Sequence, residues 1–123
     1  MGVIAFASAK SSPGVTTTIT ALAAGWPAHR DLHIVELDPA GGDLVVRFEL
    51  APEPGLVTLA ANGRRDLGLD TYLAHTQRLP SSSEAGGPER RILVAPVAAD
   101  QASAALSALR FGLPKVLADA QAD

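Results

Sequence analysis

The sequence predicts an α/β domain built on a parallel β-sheet. Three short apolar runs lead to this prediction, because such runs, bounded by small or turn-forming residues, are typical of strands buried on both faces of a sheet. They occupy residues 2–8 (GVIAFAS), 32–37 (LHIVEL) and 91–97 (RILVAPV). Segments with helical periodicity separate them, and this alternation favours parallel strands joined by helical crossovers.

Composition limits the class of protein. The chain has 123 residues, of which 47% are hydrophobic and 19% charged, so we expect one compact domain over residues 1–123. A net charge of −3 gives no general attraction to nucleic acid. We interpret the arginine pairs Arg64–Arg65 and Arg90–Arg91 as solvated loop ends. No apolar run approaches the ~20 residues of a membrane span, and cytoplasm is the expected location.

The first unit reads as strand, tight loop and helix. Residues 10–14 (KSSPG) are rich in turn formers and follow the first apolar run directly. Apolar residues then recur at spacings of four, three, one and three, which places them on one helical face. They are Val15, Ile19, Leu22, Ala23 and Trp26, and Pro27 ends the helix.

The remaining elements follow the second strand. Residues 44–50 (LVVRFEL) fit either a strand, because several are β-branched, or a turn of helix. Residues 55–63 read as a helix closed by an Asn-Gly pair, and residues 69–79 as a helix ended by a proline. A last helix is predicted over residues 100–110, with Asp100 as its N-cap.

The loop before the first helix departs from the general phosphate-loop pattern G-x-x-x-x-G-K-[ST]. Over residues 9–16 the second glycine (Gly14) and the hydroxyl residue (Thr16) are present, whereas Ala9 and Val15 replace the first glycine and the lysine. Two interpretations stay open at this point. The segment is either an anion-binding loop or a simple turn followed by a capped helix start.

Backbone chemistry alone can support an anion site here. A helix N-terminus carries amides without intrahelical partners and the positive end of the helix dipole. Gly14 lets the backbone curl towards an anion, and the hydroxyls of Thr16 and Thr17 can face phosphate or Mg²⁺. Pro13 stiffens the loop, which either preorganises the amides or closes them to a ligand.

Taken with the second loop, this segment resembles the deviant Walker A ATPases that partition chromosomes and position septa, the ParA/MinD type, whose loops read K-G-G-x-G-K-T-T. Lys10 falls on the signature lysine of that family, and Gly14, Thr16 and Thr17 match its pattern. The departures are Ser11 and Ser12 in place of two glycines, and Val15 in place of the phosphate-binding lysine.

The stretch after the second strand extends the resemblance. In the family this strand ends D-x-D-P-x-G, and the matching residues are Glu36, Asp38, Pro39 and Gly41. The segment APVAADQ is similar to the family's third strand and the loop after it. The resemblance therefore covers most of the chain.

The resemblance implies a three-layer P-loop NTPase-like fold that binds ATP and Mg²⁺. It implies that the loop from Ser11 to Thr17, including Pro13, cradles the phosphates, and that Thr16 and Asp38 hold the metal. Asp38 would also position the attacking water. Lys10 would reach across a nucleotide-dependent homodimer to the phosphates of the partner.

Two departures argue against efficient hydrolysis. Val15 removes a charge-assisted contact to phosphate, which should weaken binding and slow transfer. The family's Walker B strand follows the matched region, so we expect this chain to be the N-terminal part of such a domain, as a truncated product, a fragment or a subunit that needs a partner.

The expected function is that of a degenerate partitioning or positioning ATPase. The alternatives are a truncated remnant or a non-catalytic scaffold of the pilus-assembly or septum-site type that binds a protein partner. The sequence gives no direct sign of DNA or membrane binding.

Overall fold

The computed structural model describes residue 4 and residues 14–27, 29–63, 67–79 and 90–121. Apart from residue 4, the predicted strand over residues 2–8 lies outside this part, as do the loop residues Lys10 to Pro13 and the pair Arg64–Arg65. Six helices and three strands form the described part. In chain order they are α1 (Val15–Ala24), β1 (Leu32–Val35), α2 (Leu44–Arg47), α3 (Leu56–Asn62), α4 (Leu69–Ala74), β2 (Gln77–Arg78), β3 (Arg90–Leu93), α5 (Ala99–Leu109) and α6 (Gly112–Gln121).

The sheet of these three strands is mixed. Its order is β1-β3-β2, with β1 parallel and β2 antiparallel to β3. The predicted α/β class is confirmed, whereas a purely parallel sheet is wrong for the described strands. The parallel pair consists of the two predicted strands that the structure describes, and the antiparallel strand lies where a helix was predicted.

The helix predicted over residues 69–79 ends at Ala74 because polar side chains redirect the chain. The carbonyl of Leu73, in the last turn of the helix, accepts both the hydroxyl (2.7 Å) and the backbone amide (3.2 Å) of Thr76. The Gln77 side-chain amide then donates to the carbonyls of Ala51 (2.7 Å) and Pro54 (2.8 Å). Gln77 and Arg78 pair with Ile92 and Arg91 of β3, and this pairing forms β2.

Apolar side chains pack on both faces of the sheet. Successive residues of a strand point to opposite faces, and alternate residues from β3 onwards belong to different clusters. Leu93 and Ala95 join buried residues of α3, α4, α5 and α6. Ile92 and Val94 join Leu44 of α2, with side chains of α1 packed against them. Helices therefore cover each face of this small sheet.

Most predicted helices are confirmed, with changes at their ends. Residues 44–50, for which the sequence left a strand and a turn of helix open, begin with the helical turn α2. The last predicted helix starts at Ala99, so Asp100 is not its N-cap; Ala98 holds that position. The Asp100 carboxylate instead accepts the amide of Gln101 (2.9 Å) within the first turn. None of the described helices is both long enough and apolar enough to cross a bilayer.

Arg90 is not a solvated loop end. It begins β3, and its guanidinium donates to the carbonyls of Ala23 (3.4 Å), Trp26 (3.3 Å) and Pro27 (2.9 Å). A cation at a helix C-terminus is favourable because the carbonyls there carry partial negative charge. Arg90 therefore joins the end of α1 to the sheet.

Candidate functional site

The start of α1 contacts the acidic loop, which we define as residues 36–43 after β1. The Thr16 hydroxyl donates to Oδ1 of Asp43 over 3.1 Å. The two residues are 27 positions apart in sequence, so this contact depends on the tertiary fold. The structure thus brings the start of α1 next to the loop after β1.

The first backbone amides of α1 have no acceptor within the helix. Gly14 is the N-cap, with a φ of 125°, and no side chain of the described residues caps this helix. The first intrahelical bond runs from the amide of Thr18 to the carbonyl of Gly14 (2.8 Å), which leaves the preceding amides without an intrahelical acceptor. Thr17 is exposed, and Val15 is half-buried. The structure therefore leaves room for the anion-binding interpretation.

Glu36 organises the acidic loop through three backbone hydrogen bonds. Its Oε1 accepts the amide of Ala95 (2.9 Å), and its Oε2 accepts the amides of Asp43 (3.0 Å) and Leu44 (3.2 Å). Burial raises the pKa of Glu36 above its ordinary value, the three amides oppose this rise, and the charge of Asp43 adds to it. The carboxylate is thus the acceptor for the first turn of α2 and for the segment after β3.

Two glycines let the acidic loop lie against the segment after β3. Gly41 has a φ of 103°, and a Cβ at this position would overlap the carbonyl of Val97. Gly42 donates its amide to the carbonyl of Pro96 (2.8 Å), and a Cβ there would overlap the Glu36 carboxylate. Larger residues at either position would push the loop away from the sheet.

Asp38 shapes the exposed part of this loop. Its Oδ1 accepts the amide of Ala40 (2.9 Å), and its carbonyl accepts the amide of Gly41 (3.0 Å), which together close a turn. Among the described contacts, Thr16 meets Asp43 and not Asp38. The catalytic and metal-binding roles of Asp38 stay predictions, and so do the roles of Lys10 and the other loop residues outside the described part.

The sequence analysis missed the contribution of Asp43. One signal for it was present, because an aspartate directly before an apolar helical turn is a typical N-cap. Asp43 does hold the N-cap position of α2, although its side chain makes no capping hydrogen bond. Its carboxylate faces Thr16 instead, a contact that sequence spacing does not reveal.

The donor set fits Mg²⁺ bound together with phosphate. The Thr16 hydroxyl donates its proton to Asp43, so its oxygen lone pairs remain available to a cation. Mg²⁺ keeps several waters and takes one or two protein oxygens plus those of phosphate. Among the residues that the structure describes, no group of three or more His, Cys, Asp or Glu side chains could hold a metal ion alone.

A second concave feature has a different character. An apolar groove of about 330 Å³ lies between Leu37 of the acidic loop and the helices α5 and α6. Its lining residues are Leu37, Leu106, Leu109, Arg110, Leu113, Pro114 and Leu117. It contains no carboxylate, hydroxyl or imidazole, so acid–base chemistry has no group to use there.

Comparison of the chain with protein-family models, curated proteins and solved structures found no match.

Proposed function

We propose that this chain is a degenerate nucleotide-binding protein of the ParA/MinD type, with a three-layer P-loop NTPase-like fold and a role in chromosome partitioning or cellular positioning. The observation that carries the proposal is the hydrogen bond from Thr16 to Asp43. It joins a hydroxyl at a helix N-terminus to a carboxylate on the loop after a parallel strand. Ligands of open parallel sheets bind at that end of the strands.

Each residue has a distinct proposed role. The backbone N–H groups from Ser12 to Thr17, except at Pro13, which has none, bind phosphate oxygens of ATP, since a helix N-terminus is an anion site. Thr16 and Asp43 face Mg²⁺, which neutralises charge on the phosphates when bound. Asp38 orients the attacking water, and Lys10 acts across a nucleotide-dependent homodimer. The proposed setting is the cytoplasm.

Hydrolysis in this proposal is slow. Val15 stands where a lysine would stabilise charge on the transferred phosphate, and a charge-assisted hydrogen bond of that kind is worth about 1.5 to 3 kcal/mol. Asp38→Ala should abolish any Mg²⁺-dependent turnover. Unchanged turnover in that variant would refute the role of Asp38 and leave binding to be judged separately.

Thermal unfolding with and without ATP and Mg²⁺ tests the proposed binding. A ligand that binds only the native state stabilises it by about 2.7 kcal/mol at 100 times its Kd, so the midpoint must rise with ligand concentration. Asp43→Asn keeps the shape of the side chain but removes its charge, and it should abolish the rise. Asp119→Asn, the same change at an exposed position of α6, should retain it.

The outcomes separate the proposal from its competitors. A rise in wild type and in the Asp119 variant, lost in the Asp43 variant, supports a nucleotide site at α1. An equal rise in all three proteins would move the site elsewhere. A wild-type protein that unfolds cooperatively with no rise at any concentration of ATP and Mg²⁺ would exclude the site.

A non-catalytic scaffold is the second candidate. It is favoured by Val15 in place of the lysine and by the use of the Asp38 carboxylate in a local turn with Ala40. Such a protein would recognise a protein partner through its fold. Light scattering with and without ATP and Mg²⁺ distinguishes the two, because a scaffold shows the same association state in both conditions.

A further inference from the structure

Glu36 lies between two chain segments that are far apart in sequence. One is the stretch directly after β3, which the carboxylate contacts at the amide of Ala95, 59 positions away. The other is the start of α2, contacted at the amides of Asp43 and Leu44. The side chain of Glu36, the first residue of the acidic loop, therefore holds the last residue of the loop, Asp43, and the segment after β3 in place.

Asp43 is the point where this arrangement meets the candidate site. Its amide is held by Glu36 over 3.0 Å, and its carboxylate accepts the Thr16 hydroxyl over 3.1 Å. Fixing the backbone of a residue restricts where its short side chain can reach. The contacts thus form one continuous path from Ala95 through Glu36 and Asp43 to Thr16.

Gly42 leaves the space that the Glu36 carboxylate needs to make these contacts. Gly42 is buried beside it, and a Cβ on Gly42 would overlap the Glu36 carboxylate. The acidic loop can therefore close over the carboxylate only because residue 42 lacks a side chain. The Glu36 carboxylate bridges the two segments, and the lack of a side chain at Gly42 leaves the space that this carboxylate occupies.

We propose that Glu36 is a positioning residue for the nucleotide site: its bridge between the segment after β3 and α2 holds Asp43 against Thr16. The relevance to nucleotide rests on the proposed function, whereas the effect on Thr16 does not. Glu36 itself touches no ligand in this proposal. It acts through Asp43, and a structural change at the end of β3 would reach Thr16 by the same route.

NMR of the full chain, well below its unfolding midpoint, measures this coupling directly. Glu36→Gln keeps the side-chain length, but its amide NH₂ must face at least one of the backbone N–H groups that the carboxylate now accepts. Gly42→Ala leaves Glu36 intact and displaces its carboxylate by contact. Both should shift the amide and methyl resonances of Thr16. The matched controls Glu53→Gln, at an exposed residue, and Gly68→Ala, where a Cβ meets no atom within 4 Å, should not.

A general loss of stability would not move Thr16 resonances in protein that remains folded. Unchanged Thr16 resonances in both folded variants would therefore overturn the positioning role. Failure of both variants to fold, with folded controls, would make Glu36 a residue of the core structure and would overturn it equally.

The same samples, titrated with ATP and Mg²⁺, separate this inference from the proposed function. If Thr16 shifts in both variants and the wild type responds to ligand, the response should be weakened or lost in the variants. If Thr16 shifts but the wild type does not respond, positioning stands and nucleotide binding fails. If the wild type responds and Thr16 does not shift, nucleotide binding stands and the role of Glu36 fails.

Discussion

Tyr72 offers the sharpest quantitative test of the packing beneath α4. It is the single tyrosine of the chain and is fully buried. Its hydroxyl hydrogen-bonds with Nδ1 of His33 over 3.2 Å. Burial raises the pKa of Tyr72 to about 12 from 10.0, against the opposing charge of Arg91.

This pKa sets both the sign and the size of a pH effect on stability. The unfolded phenol loses its proton near its ordinary pKa of about 10, whereas the folded one keeps it to about 12. Between these values the folded state holds the extra proton, so stability falls as pH rises. At 1.36 kcal/mol per pKa unit, the free energy of unfolding drops by about 1.3 kcal/mol between pH 9 and 11.

Urea unfolding at the two pH values measures this drop. Tyr72→Phe removes the titrating group and should lack this part of the decline, so the difference between the two proteins isolates the contribution of Tyr72. At pH 9 the variant should be less stable by about 0.5 to 1.5 kcal/mol through its lost hydrogen bond. The absorbance of the phenolate gives the pKa itself, because no other tyrosine contributes.

A phenolate midpoint near 10 in the folded protein would refute the buried position of Tyr72. So would a pH dependence of stability that is the same in wild type and Tyr72→Phe.

Three further perturbations test other parts of the structure. Gly41→Ala should lower the free energy of unfolding in urea by about 1 to 3 kcal/mol, because a side chain there is strained and overlaps a carbonyl, whereas Gly68→Ala should change it little. Arg90→Met keeps the apolar stem but loses the bonds to the end of α1, and should cost about 1 to 2 kcal/mol by the same assay. Because the pKa of Glu36 is raised, its contribution to stability should fall as pH rises from its ordinary value of 4.5 towards its higher folded value, and Glu36→Gln should remove this decline. A decline that is unchanged in Glu36→Gln would contradict that assignment.

Sequence patterns within short windows predicted α1, β1 and β3. The helical periodicity after Gly14 gave α1, and the apolar runs at residues 32–37 and 91–97 gave β1 and β3. These signals are contained in short windows, because burial of one face repeats with the period of the element. The α/β class followed from them without tertiary information.

The remaining features depend on contacts between distant residues. β2 is a strand because Gln77 and Arg78 pair with Ile92 and Arg91 of β3, and no local pattern encodes that pairing. The side chain of Gln77 also binds carbonyls 23 and 26 positions away. Glu36 and Asp43 meet their partners across 59 and 27 positions. The sequence could therefore indicate an acidic loop near a helix start, but not which of its carboxylates faces Thr16.

The most direct test of the central claim is amide chemical-shift mapping of the wild-type chain during titration with ATP and Mg²⁺. We expect saturable shifts centred on Gly14 to Thr17 and on Asp43, weaker when Mg²⁺ is omitted. The absence of shifts, or shifts confined to other residues such as those of the apolar groove, would contradict a nucleotide site at the start of α1.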